Sequence, residues 1–284
     1  MSSPETGHAP GPSRRRGAAR LSAPPQGAAA KRPTVSVVIP ARDDAAALLR
    51  CLRALSRQSL PPTEVVVVDN ASADDTAAVA RAHGARVVTE PRVGIPFAAA
   101  TGYDAASGEI VARLDADSLP GPGWLEQAVA RLADPGVAAV TGTGTFYEHG
   151  RAGRVTAGVY LAAYYGLCHL ALGHHALWGS NMAMRRSVWH AVRDRVHRDD
   201  PELHDDLDLA FAMGPQLNIR LDRSLRVGVS ARSLRGAHQV RRRFRRAFRT
   251  LATNWREAPP WERWTTRLTG DAAGGMFARR PTAT

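Results

Sequence analysis

Lysine is nearly missing from this 284-residue chain: Lys31 is the only one, so the formal net charge of +12 rests on arginine. A glycine-rich phosphate loop ending in lysine is therefore absent after the first strand-like run, which removes the P-loop class of nucleotide enzymes. Cysteine is equally scarce. Cys51 and Cys168 are too few and too far apart for a disulfide framework or a structural metal cluster, and a reducing, cytoplasmic setting is expected. No apolar core follows the basic residues near the amino terminus, so that region does not read as a secretory signal. Strongly apolar runs of about 20 residues are also lacking. The nearest, Val155 to Gly173, carries two glycines before its end, His169 and three tyrosines, and reads as a buried or interfacial helix. No internal repeat is visible.

What is present suits a large core, since 44% of the residues are hydrophobic. The charge is regional. Residues 1–33 hold six basic residues against Glu5, and residues 220–249 hold eleven arginines against Asp222. The expected organisation is a disordered basic tail over 1–33, a catalytic domain over 34–235, and a basic, tryptophan-containing carboxyl-terminal extension over 236–284.

From Thr34 onward, strand and helix signals alternate as in an α/β domain. Thr34–Pro40 and Glu64–Asp69 are continuous β-branched runs suited to parallel strands buried on both faces. Leu48, Leu49, Leu52 and Leu55 recur at helical spacing within 44–59, before Pro61-Pro62. A helix opened by Asp74-Asp75, a short strand at 86–89, a helix over 97–106 and a strand over 109–115 follow. Later signals are a helix over 124–133, strands at 137–143 and 218–229, a helix from Arg186 and an acidic helix start after Pro201. Three apolar strands end in polar groups, at 40–44, at Asp69-Asn70 and at Asp115 to Asp117. In open α/β sheets ligands sit outside the carboxyl ends of strands, so these three ends should face one crevice.

Two carboxylates at i, i+2 after a strand suit a hard divalent cation whose shell is completed by substrate phosphates. Alone, Asp115-Ala116-Asp117-Ser118 is as well explained by an ordinary capped turn. Its surroundings add to it. VSVVIPARDD (35–44), EVVVVDNASADDT (64–76), GEIVARLDADS (108–118), GSNMAMRR (179–186) and HDDLDLA (204–210) stand in an order that resembles the inverting glycosyltransferases of family 2. The resemblance covers about residues 34–210 and implies a GT-A fold, an α/β Rossmann-like nucleotide-diphospho-sugar transferase with a mixed sheet flanked by helices.

The resemblance also implies roles. Asp69 would contact the nucleoside, and Pro40 and Ala41 would bring main chain against its base. Arg42 and Arg92 would reach the diphosphate. Asp117 would ligate Mg2+ or Mn2+, with Asp115 sharing the metal or holding the ribose, because a nucleoside diphosphate leaves poorly until its charge is neutralised. Asp206 matches the base that takes the acceptor hydroxyl's proton, with Asp205, standing where glutamate is usual, as the alternative. Trp178, Gly179, Ser180 and Asn181 match the pocket for acceptor and donor sugar; Trp178 can instead be core. His238 falls where some metal-dependent relatives supply a further ligand. Ala99 and Ala100 replace a usual Arg-Asn pair, and no Gln-x-x-Arg-Trp follows, against a processive synthase.

The implied activity is metal-dependent, inverting transfer of a single sugar from a nucleoside-diphosphate sugar to a hydroxyl, the acceptor being unknown and, on one view, lipid-linked or part of the cell envelope. A nucleotidyltransferase on a similar sheet would have no need for the acids around Asp206; a silent nucleotide-sugar-binding or basic anchoring protein is the remaining alternative. The arginines at 241–249 fit an anionic membrane surface, a phosphorylated ligand or a bare solvated helix. Trp255, Trp261 and Trp264 favour the membrane, at its inner face, over nucleic acid, which is not the expected partner.

Overall fold

The computed structural model of the chain describes residues 32–270 other than residue 235. The expected basic tail lies outside the described residues except for its last two, as do residues 271–284.

Four parallel strands form the first half of the sheet: β1 (Val35–Ala41), β2 (Glu64–Asp69), β3 (Arg86–Thr89) and β4 (Ile110–Arg113), in the order β3-β2-β1-β4. A strand covered on both faces must be apolar throughout, and all seven residues of β1 are buried. Side chains alternate between the two faces. Val37, Ile39, Val67 and Ala112 pack under α1 (Ala45–Leu55), α2 (Thr76–Ala82) and α4 (Trp124–Leu132). Val38, Val66, Val68 and Val111 pack on α3 (Ile95–Ala105), α6 (Arg186–Val192) and α7 (Asp205–Met213). On α1 the helical spacing puts Leu48, Cys51, Leu52 and Leu55 on one buried face. Truncating any of these leucines to alanine should cost about 2–5 kcal/mol. The helix stops before the expected Ser59 because residues 58 and 59 bond elsewhere. Gln58 Nε2 donates to the Gly121 carbonyl at 2.8 Å, and the Ser59 amide donates to the Pro122 carbonyl at 2.8 Å.

The second half of the sheet joins out of sequence order. β7 (Met182–Arg185) pairs antiparallel with both β4 and β6 (Ala139–Phe146); β8 (Ile219–Val229) runs parallel to β6, and the short β5 (Leu119–Pro120) caps the edge on β8. The result is the mixed eight-stranded sheet flanked by helices that the resemblance implied. β5 and β7 had no counterpart among the expected strands. Met-Ala-Met-Arg and Leu-Pro have no β-branched residue, so only pairing with neighbours makes them strands.

The apolar helix expected around 155–173 is α5 (Gly150–Leu172). The arginine-rich segment forms α8 (Ala237–Trp255), followed by α9 (Pro260–Thr269). Both pack onto the domain: Asn254 Nδ2 donates to Asp208 Oδ1 at 2.9 Å. Buried Arg263 donates to the Leu172 carbonyl at 2.8 Å, with its guanidinium 4.7 Å from the Phe211 ring.

Candidate active site at the carboxyl ends of the strands

Parallel pairing brings the ends of β1, β2 and β4 side by side, so Asp69 and Asp115 lie two strands apart, about 10 Å by strand spacing. The loops after β1 and β2 are knitted together. The Ala73 amide donates to Asp43 Oδ1 at 2.6 Å, the Asp43 amide to Ser72 Oγ at 3.1 Å, and the Asn70 amide to the Ala41 carbonyl at 2.9 Å. Asp43 and Ala71 adopt left-handed φ angles of 48° and 55°, a strain these cross-loop bonds sustain. Pro40 and Ala41 are buried at the strand end, while Arg42 stands exposed beside Asp43 at 3.4 Å.

After β4, Leu114 and Ala116 point into the core, which turns Asp115 and Asp117 the other way. Asp115 accepts from Ser180 Oγ and, at 3.2 Å, from Arg113 Nη2. Asp117 faces the Arg232 Nε at 3.1 Å, and the same guanidinium donates to Asp44 Oδ1 at 2.8 Å. Burial first, then the neighbouring Asp115, push the Asp117 carboxyl up to about 6, although Arg232 opposes the rise. Asp44 and Asp117 thus share Arg232, while Asp115, close enough to act on Asp117, is met by Arg113. That donor set, oxygen only and short of positive charge, fits a divalent cation. Among the described residues no three metal-ligating side chains are already gathered; Arg232 occupies the position of the counter-charge.

Arg113 ties this spot to the acidic helix. It is 1% exposed, yet the residues around it are charged: Nη1 donates to the Tyr103 hydroxyl at 3.1 Å and forms a close ion pair with Asp205. Burial works against its charge, but Asp205 chiefly, with Asp115, more than offsets this and holds its pKa above the ordinary arginine value. Gly179 lies flat on the guanidinium, where an added Cβ would come within 2.7 Å of Cζ, so only glycine fits. The Gly179 amide then donates to Asp206 Oδ2 at 2.9 Å, and the Leu207 amide donates to Asp206 Oδ1 at 2.8 Å. Asp115, Asp205 and Asp206 are therefore tied together through Arg113, Gly179 and Ser180, with Asp117 two residues from Asp115. Asp205 is spent on Arg113, whereas Asp206, half-buried at the start of α7, is held by main-chain amides alone among its hydrogen bonds.

Other expected site residues are placed differently. Asn181 is fully buried: Nδ2 donates to the Thr143 and Leu225 carbonyls, both at 2.9 Å, and Oδ1 accepts from Trp124 Nε1 at 2.8 Å. It braces the sheet and has no hydrogen-bonding group left for a sugar in this arrangement. Trp178 is buried too, packed on Gly144 within the core, which is the alternative reading of that residue; its face is not open for stacking. Arg92 is held by Glu90 at 2.9 Å, by Asp199 at 3.0 Å and over the Phe97 ring. Ala99 and Ala100 are buried where α3 meets the sheet. His238 stands exposed in the first turn of α8. A cavity of about 420 Å³ lined by His174, Asn218 and Arg267 lies at the amino end of β8, away from the carboxylates, and contains no acidic residue.

Sequence reasoning missed Arg113, Asp44 and Arg232 as site residues. Arg113 had a signal: a charge inside Ile-Val-Ala-Arg-Leu, where each neighbour is buried, needs a buried partner. Arg232 had none, being one arginine among eleven in its region.

Carboxylates gathered at the strand ends of an open α/β sheet define the class of domain that binds its ligand there. Residues 36–192, more than half the chain, match the family model described as glycosyl transferase family 2, and the chain belongs to that family. It is 36% identical over 127 residues to the glycosyltransferase AglE of Haloferax volcanii, covering 42% of each chain. It is 44% identical over 108 residues to an uncharacterised glycosyltransferase of Mycobacterium tuberculosis, covering 38% of this chain and 47% of that one. The chain thus spans less than half the length of these curated relatives. Among solved structures, the mannosyltransferase PcManGT from Pyrobaculum calidifontis, in complex with GDP-Man and Mn2+, superposes with a TM-score of 0.60 at 24% identity, covering 87% of this chain and 77% of that one. Glucosyl-3-phosphoglycerate synthase from M. tuberculosis superposes with a TM-score of 0.58 at 24% identity, covering 78% and 80%. The fold is GT-A.

Proposed function

We propose that this glycosyltransferase moves one sugar from a nucleoside-diphosphate sugar to an acceptor hydroxyl with inversion, using Asp206 as the base. The observation that carries the reading is the Arg113 bridge. By pairing with Asp205 it commits that carboxylate and leaves Asp206 as the half-buried acid of the helix start. The amides of Gly179 and Leu207 donate to the two oxygens of Asp206 at the start of α7, which fixes the carboxylate that would take a proton from the attacking hydroxyl. In this reading Asp206 would stand on the side of the sugar away from the diphosphate, where a base serves a direct displacement with inversion.

Asp117 and Asp115 are the residues that would hold a divalent cation, with Asp44 beside them. Such an ion would neutralise charge on the departing diphosphate. Asp69 and the buried turn at Pro40 and Ala41 form the nucleoside end of the cleft. Complexes of relatives of the same fold with GDP-Man or with UDP, both with Mn2+, support a nucleoside-diphosphate donor here. Arg42 is placed to meet the diphosphate, and Arg92 would do so only on releasing Glu90.

The test is a thermal-shift screen of nucleoside diphosphates with Mn2+, followed by sugar-nucleotide turnover. At least one nucleotide should stabilise the protein, and Asp117→Ala should abolish the metal-dependent part of that shift. A chain unmoved by every nucleoside diphosphate would refute the proposal.

A further inference from the structure

One face of the molecule lies outside the chemistry above. Helix α5 has 23 residues, and its last 18, Val155–Leu172, contain no Asp, Glu, Lys or Arg. One side of it is built into the core through Ala157, Leu161 and Tyr165, so it lies along the protein surface. On the opposite side Val155, Val159, Leu167 and Leu170 are 64% to 68% exposed. At 100° per residue these four fall on one stripe, with Ala162, Ala163 and Gly166 between them, and no charged residue interrupts it from Val155 to Leu172.

Two further helices extend this stripe. α8 runs beside α5, with Arg243 Nη2 donating to the Tyr160 hydroxyl at 3.0 Å and Trp255 Nε1 to the Ala171 carbonyl at 3.1 Å. Phe244 and Phe248 share the helical face of Trp255, the face turned toward α5, and are 60% and 68% exposed. α9 closes the other end, with Trp264 Nε1 donating to the Leu170 carbonyl at 2.9 Å, and it exposes Trp261 and Leu268. Around this apolar area stand exposed arginines: Arg151 and Arg154 in the first turns of α5, and Arg241 and Arg245 beside the phenylalanines.

We infer that the joint face of α5, α8 and α9 docks on an anionic lipid bilayer, with α5 and α8 lying in the plane of the headgroups. Exposed aromatic and aliphatic side chains rimmed by arginine are complementary to an acyl boundary beneath negative headgroups. A second copy of the chain is a poorer occupant, because two such faces would set arginine against arginine. The inference goes beyond the reaction and does not depend on it.

The test is co-sedimentation of the full chain with vesicles of phosphatidylcholine alone and of phosphatidylcholine mixed with phosphatidylglycerol. Binding to the mixed vesicles, weak binding to the neutral ones and a blue shift of tryptophan emission are expected. Val159→Asp with Leu167→Asp should lower partitioning more than about tenfold, since two buried anchors are lost. Arg151→Gln with Arg241→Gln, which leaves the apolar stripe intact, should lower it about tenfold. An unchanged nucleotide thermal shift in both variants separates docking from folding and from donor binding. Wild type remaining in the supernatant with mixed vesicles would overturn the inference. So would equal sedimentation of the variants, or a dimer by light scattering that Val159→Asp with Leu167→Asp dissociates while vesicle binding stays absent.

Discussion

Strands β1 to β4 are parallel, rich in β-branched residues and packed through apolar contacts, whereas β6, β7 and β8 enter the sheet out of order and are held by buried polar side chains. In the first half, Val37, Ile39, Val67 and Leu48 need only be apolar and of suitable size. In the second half, Asn181, Asp208 and Arg263 are buried and each must find particular partners. An apolar contact tolerates approximate geometry, while an unpaired buried charge does not. The half that carries Asp206 is therefore the half specified by individual hydrogen bonds, and the seam between the halves, β4 against β7, is where Arg113 sits.

Substitutions can sharpen this contrast. The largest effect should follow Asp206→Asn, which keeps the shape of the helix start and removes the base: kcat should fall by about 10²–10⁴ while nucleoside-diphosphate affinity, measured by calorimetry, is unchanged. Equal turnover would move the base elsewhere. Next comes stability. Arg113→Met leaves Asp205 buried and unpaired and should cost about 3–5 kcal/mol in urea unfolding, with part regained on adding Asp205→Asn. If the double variant is no better than the single one, the bridge is not what joins the halves. A smaller effect is expected at Arg232, whose side chain is 51% exposed. Arg232→Ala removes a cation that competes for Asp117 and Asp44, and Mn2+ binding by calorimetry should tighten by up to about fivefold, the scale of an exposed ion pair.

The smallest effect belongs to the first half and to pH. Glu64 accepts from Ser36 Oγ, from the Ser107 amide and hydroxyl, and from Arg86. Against the cost of burial, these bonds hold its carboxyl down at about 2. A carboxyl with a depressed native pKa contributes stability above its ordinary value of about 4.3, lost as pH falls toward 2. The urea midpoint of the wild type should therefore drop over that window, and Glu64→Gln, less stable by about 1–2 kcal/mol at neutral pH, should show a shallower drop. Parallel curves would mean that Glu64 does not titrate with folding.

Legibility follows the same division. β2 and β3 were expected at the residues they occupy, and α1, α3 and α4 within a few residues, since continuous β-branched runs and leucine spacing are local signals. β7 escaped because Met-Ala-Met-Arg has no strand preference of its own. The acids of the cleft were readable from the motifs that resemble family 2. That resemblance placed Trp178 and Asn181 in the sugar pocket, yet both are buried braces, because a motif records proximity to a site and not whether a side chain faces into it.

Hydrophobic periodicity and the placement of acids at strand ends, both properties of short stretches, determined from the sequence alone an α/β sheet with a carboxylate-lined crevice. Which carboxylate is paired and which is left to act was decided by tertiary structure. The partner of Asp205 stands 92 residues away on β4, and charge compensation across such a distance depends on where the chain has folded. The same holds for the apolar stripe of α5: its composition was plain, but only packing settled which side faces outward.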